Sequence, residues 1–98
     1  MDVEYKDPNL ERLEDDPRFI GRWTFALAKS FREKINYIRK SDSTTSLYAW
    51  KGLHFEKLEG DKSHLHSIRL NDQYRLEFQV IKKHGKDALI IYSIGDYH

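Results

Sequence analysis

The order of apolar and polar positions divides the chain into a helical first half and a stranded second half. Val3 to Tyr5 reads as a short strand, and Asp7-Pro8 as a helix start, with the carboxylate as N-cap and the proline in the first turn, where its missing N–H costs nothing. That helix is short and ends near the Asp15-Asp16-Pro17 run. From about Arg22 to Lys40, Leu27, Phe31, Ile35 and Ile38 recur at spacings of 4, 4 and 3, the stripe of a core helix. Ala28 is expected to turn away from this stripe, and Lys29, Arg32, Arg39 and Lys40 to occupy the opposite side. The polar cluster Ser41 to Ser46 ends the helix, SLYAWKG allows one further turn, and Gly52 is a natural stop.

Past Gly52 the period changes from helical to alternating. Leu65 to Leu70 alternates, Asn71 to Gln73 is a tight connection, and Tyr74 to Val80 alternates strictly, with Tyr74, Leu76, Phe78 and Val80 on one face and Arg75, Glu77 and Gln79 on the other. A second turn around Gly85 leads into the apolar run Ala88 to Ile94, the third strand of an antiparallel meander. Helices first and strands last predict one α+β domain over residues 1–98, with the N-terminal helices packed on one face of an antiparallel sheet.

Composition narrows the function classes. The 98 residues are 39% hydrophobic and 13% aromatic and contain no cysteine, which excludes disulfides and thiolate metal sites. The N-terminal segment is charged throughout and lacks the apolar core of a signal peptide, and no stretch approaches a membrane span, so a cytoplasmic protein without membrane contact is expected. Net charge is only +1, yet the first sixteen residues hold seven acids and two bases, which leaves the remainder basic and points weakly to a polyanionic partner.

Phosphate-binding glycine loops, HExxH and nucleophile elbows are absent from the sequence. His64 and His66 are expected to share a strand face, but two imidazoles without a third ligand make a poor metal site. The basic residues are more informative. Arg69 and Arg75 flank the Asn71–Gln73 turn, and Arg75 is placed on the open sheet face, where a guanidinium can grip a phosphate through two parallel hydrogen bonds. The preceding loop adds Lys51, Lys57, Lys62 and histidines near the same edge. The third strand runs in the direction of the first, so Asp96, Tyr97 and His98 are expected to approach that edge too. A phenol, imidazoles, an arginine and several lysines around a concave sheet suit RNA scission, which needs a base, an acid and cations for a charged transition state. Trp23, Phe25 and Trp50 are open between core and partner surface.

The run LHFEKLEGDKSHLHSIRLNDQYRLEF, the terminal DYH, and YKDPNLERL upstream resemble the HigB toxins of the RelE/ParE superfamily, over nearly the whole chain. The resemblance implies a small α+β fold with N-terminal helices on a curved antiparallel β-sheet. It also implies a metal-independent, cofactor-free endoribonuclease that cuts mRNA in the ribosomal A site. The implied partners are the ribosome, mRNA and a HigA-like helix-turn-helix antitoxin, with operator DNA reached only through that antitoxin. By motif, Arg75, Asp96, Tyr97 and His98 are the implied catalytic residues, and Lys51, Lys57, Lys62, His66 and Arg69 the candidate RNA contacts. Tyr97 or His98 is expected to carry protons, and both are expected to be ordered and to face the basic surface. The family commonly has a basic residue where this chain has Glu59 in LEGD; Lys57, Lys62, His54 and His66 are candidates to compensate. Two other functions fit the same scaffold: a ParE-like inhibitor of DNA gyrase, and a degenerate module that only binds its antitoxin.

Overall fold

The computed structural model of the chain describes residues 1–96. In chain order the elements are β1 (Asp2–Tyr5), α1 (Pro8–Asp15), α2 (Phe25–Lys40), α3 (Thr45–Ala49), β2 (Glu56–Lys57), β3 (His66–Arg69), β4 (Tyr74–Lys83) and β5 (Lys86–Asp96), with single 3-10 turns at Lys51–Leu53 and Gly60–Lys62. The helices lie on one face of a five-stranded sheet of order β1-β5-β4-β3-β2. No described helix is long and apolar enough to cross a membrane.

The meander forms as the alternation requires, β3, β4 and β5 pairing antiparallel, and β2 extends it by a two-residue ladder. β1 departs from the all-antiparallel expectation: it pairs parallel with β5, Val3 opposite Leu89 and Tyr5 opposite Ile91. Those two side chains pack against the core, and the strand covers the edge of β5, whose N–H and C=O groups would otherwise be unpaired. Both meander turns follow from their residues. Asn71 Oδ1 accepts from the N–H groups of Gln73 (2.9 Å) and Tyr74 (2.7 Å), which closes an Asx turn. His84 and Gly85, with φ of 54° and 78°, supply the two left-handed positions of a type I′ hairpin.

Asp7 caps α1 through Asn9 N–H (2.8 Å), as expected from its place before Pro8. The main helix starts three residues later than the apolar stripe suggests, at Phe25, because Thr24 accepts from Leu27 N–H (3.1 Å) and sets the cap there. Leu27, Phe31, Ile35 and Ile38 are buried as expected, but Ala28 is buried with them. The helix packs against α1 as well as the sheet, so its buried arc is wider than one stripe. For the same reason two cations expected on a free side are structural. Arg32 donates to the carbonyls of Leu13, Asp16 and Phe19, satisfying the end of α1 and the loop beyond it. Arg39 forms a two-pronged pair with Glu14 (2.6 and 2.8 Å), which also accepts from the Tyr5 hydroxyl (2.8 Å). Gly52 does not end α3; it lies within a 3-10 turn, and His54 takes the left-handed position after it. Of the three aromatics left open, Trp23 packs against the core, whereas Phe25 is 70% exposed and Trp50 39% exposed.

One irregularity reorganises the end of the sheet. The β4–β5 ladder runs in register from Lys83 to Phe78 opposite Ile91, then slips, so that Glu77 faces Ser93 and Tyr92 is an extra, bulged residue. Leu89 and Ile91 point into the core before the slip and Ile94 after it.

Candidate active site

On β4, Leu76 and Phe78 are buried under the helices, which leaves Arg75, Glu77 and Gln79 on the other face. Arg69 and Arg75 are directly opposite in the β3–β4 register, a like-charge pair that is unfavourable unless each cation has its own acid. Each does. Arg69 pairs with Asp72 in the turn and also donates to the Asn71 carbonyl (3.2 Å), while Arg75 Nε donates to Glu77 Oε2 at 3.0 Å.

Glu77 differs most from its expected state. Alternation places it on an open face beside solvent; instead its side chain is only 2% exposed. The 3-10 turn of the LEGDK segment brings Lys62 Nζ to within 3.0 Å of Oε1 and 3.3 Å of Oε2, so the carboxylate is clamped by Lys62 and Arg75 together. Buried Ser67 is its partner on β3. On β5 the residue opposite Arg75 is Gly95, and a Cβ there would overlap Glu77 Oε2. An alternating pattern identifies a face but not the segment that folds over it.

Beyond this cluster the same face carries Gln79, which accepts from the Tyr92 hydroxyl (3.0 Å); His64 meets the Tyr92 ring edge-on, and Lys6 Nζ stands 4.9 Å from its centroid. Tyr92 and Lys6 escaped sequence reasoning, since one depends on the bulge and the other on the parallel docking of β1.

The structure does not bring all the expected residues together. His66 is paired in register with Phe78, on the helix side of the sheet, and its ring stacks on Phe55 at 5.1 Å. It therefore does not share a face with His64, and Lys57, opposite it on β2, belongs to that same side. Lys51 is exposed in its 3-10 turn and has no described contact with Arg75. Asp96 pairs with Tyr74 and, with Arg22, Trp23, Tyr74 and Ile94, lines a shallow recess of about 400 Å³, on the side of the sheet away from Arg75. The bulge is the cause. Continued alternation from Leu89 and Ile91 would set Asp96 on the Arg75 face; the extra residue moves it to the other. Tyr97 and His98 lie outside the described residues. Among the described residues no three histidines or carboxylates converge as a metal site.

The surroundings of His66 yield a measurable consequence. Burial pushes its imidazole below the ordinary value of 6.5, Lys57 adds to the effect, and Nδ1 is buried without a partner among the described residues. Its folded pKa is thus below its unfolded one, so the unfolded chain takes up the proton first. The stability His66 contributes is complete above about pH 6.5 and is lost as pH falls through the lowered folded value. Thermal melts of His66→Phe should lack the part of the acid-side fall in Tm that the parent shows just below about pH 6.5. The structured carboxylates lose their contribution at more acidic pH. Glu14, despite burial that alone would raise it, is held below 4.5 by hydrogen bonds from Arg39 and Tyr5, and Asp87 is held below 3.8 by Lys82 and Thr44.

Comparison with known proteins agrees with this architecture. A solved structure described as a YoeB/ParE toxin from Agrobacterium tumefaciens superposes with a TM-score of 0.58 over 100% of both chains at 16% identity, a likeness of fold. Toxin HigB-1 of Vibrio cholerae serotype O1 is 32% identical over 79 residues, covering 81% of this chain and 83% of that protein. Residues 3–98 match the family described as the RelE-like toxin of type II toxin-antitoxin system HigB. The chain therefore belongs to the HigB family of RelE-like toxins of type II toxin–antitoxin systems.

Proposed function

We propose that the chain is a ribosome-dependent, metal-independent endoribonuclease of the cytoplasm that cuts mRNA in the decoding A site and is neutralised by a HigA-like helix-turn-helix antitoxin. The observation that carries this reading is the Lys62–Glu77–Arg75 cluster: two cations fixed at one point on the sheet face that the helices leave uncovered. The reaction has the ribose 2′-oxygen attack the adjacent phosphorus, lose its proton to a base and expel the 5′-oxygen, which takes a proton from an acid. Arg75 grips the non-bridging oxygens and, with Lys62, offsets their growing charge. Tyr97 and His98 are the proposed proton carriers. Asp96, at the end of β5, orients that terminal segment.

So small a set of groups suffices if the ribosome supplies alignment, because holding the 2′-oxygen in line with the scissile bond removes much of the barrier. The test uses purified protein with one mRNA, either free or on ribosomes with an open A site. Cleavage confined to the ribosome-bound message supports the proposal. Equal cutting of free and bound RNA contradicts the ribosome dependence, and no cutting of either contradicts the activity.

A further inference from the structure

We infer that Glu77 is a positioning residue for RNA cleavage, a buried anionic post that sets Lys62 and Arg75 as a two-pronged phosphate grip; the inference rests on the nuclease reading above. Three observations carry it. The carboxylate is nearly sealed from solvent, with a side-chain exposure of 2%, whereas Arg75 is 16% and Lys62 53% exposed, so the anion lies beneath and the cations above it. Both cations touch the same oxygen, Oε2, at 3.0 and 3.3 Å, which places an ammonium and a guanidinium close enough for one phosphate to bridge. Glu77 engages only Nε of Arg75, and among the described residues no hydrogen bond uses its Nη atoms, which leaves those donors for a phosphate.

The charges explain why such a post is needed. Two cations this close repel, and Lys62, on a flexible stem in a short turn, would relax into water without an anchor. One carboxylate between them removes the repulsion and leaves the cluster with one net positive charge. A buried carboxylate is in turn tolerable only when paired. Each member thus fixes the others, and the LEGDK turn is tied to the strand bearing Arg75. Gly95 belongs to the same device. Its φ is not in the left-handed region, so the backbone would accept a side chain; the obstacle is the Glu77 carboxylate, which occupies the space a Cβ would need.

The prediction concerns two variants that disturb the post differently. Glu77→Gln keeps the shape and removes the charge; Gly95→Ala keeps every charge and displaces the carboxylate. Both are to be measured for single-turnover cleavage of mRNA on programmed ribosomes, for the toxin concentration that half-saturates those ribosomes, for Tm, and for the 15N resonance of Arg75 Nε. The expected result is a fall in the single-turnover rate on the order of 100-fold in each, with half-saturation unchanged and the Nε resonance moved. Parent rates in both variants would overturn the inference. So would a loss of rate that merely follows loss of Tm and of ribosome binding, since that is the signature of a structural role. Should Glu77→Gln fail to fold, Gly95→Ala decides alone. Absence of cleavage by the unaltered protein instead overturns the nuclease reading, and the role of Glu77 with it, before any variant is compared.

Discussion

On the proposed activity, Arg75→Ala is expected to abolish growth arrest on induction and to lower mRNA cleavage on ribosomes by at least about 100-fold, the cost of removing one preorganised donor to a charged transition state. The loss is expected to exceed that of any other single substitution among the described residues. Arg75 lies on a central strand, and its Nε is fixed by Glu77 at 3.0 Å, so in the proposed mechanism its fork is set before substrate arrives. Alanine also leaves Glu77 with Lys62 as its sole cation among the described residues, at a cost of roughly 1–3 kcal/mol for an under-satisfied buried group. Arg75→Lys separates the two effects. It keeps a charge beside Glu77 but loses the bidentate geometry, so stability should be nearly retained while cleavage falls well below the parent. Rates measured at protein concentrations corrected for the folded fraction distinguish the contributions.

Phe31→Ala is expected to have the largest effect on stability, about 3–5 kcal/mol. Phe31 is the second residue of the α2 stripe and fully buried in the core, and its removal leaves a cavity that a helix packed against both α1 and the sheet cannot close. Because a domain of this size is stable by only about 5–15 kcal/mol, a substantial part of the chain would unfold at modest denaturant concentrations. Phe25, six residues earlier on the same helix, provides the control. It is 70% exposed, so Phe25→Ala should change stability by no more than about 0.5 kcal/mol. Urea unfolding followed by circular dichroism checks both.

These predictions rest on different amounts of sequence information. The α2 stripe, the Asp7-Pro8 cap and the β3–β5 meander are legible because each is set by a local rule: the helical period, a side chain capping its own backbone, alternation between turn residues. Arg75 is legible for the same reason, as the odd position in a strict alternation. The features that shape the candidate site are not local. Val3 and Tyr5 do not reveal that their strand pairs parallel with a strand more than eighty residues away, so Lys6 could not be placed beside Tyr92. The bulge at Tyr92 leaves no mark in a continuous apolar run, yet it moves Asp96 to the face away from Arg75. Glu77 appears as an ordinary solvent-facing acid until the LEGDK turn folds over it. His66 falls on the strand face of Ile68 and Leu70, so alternation sets it toward the core and away from Arg69 and Arg75, and the β3–β4 register and its stack on Phe55 agree.

Family membership does not by itself decide how a toxin on this fold arrests growth, since one scaffold can carry unrelated activities. Primer extension across several mRNAs after brief induction decides it most directly, comparing the parent chain with Arg75→Ala. The account predicts new 5′ ends clustered within translated codons for the parent and none for Arg75→Ala. Intact messages accompanied by double-strand breaks in DNA would contradict it and indicate a gyrase poison instead.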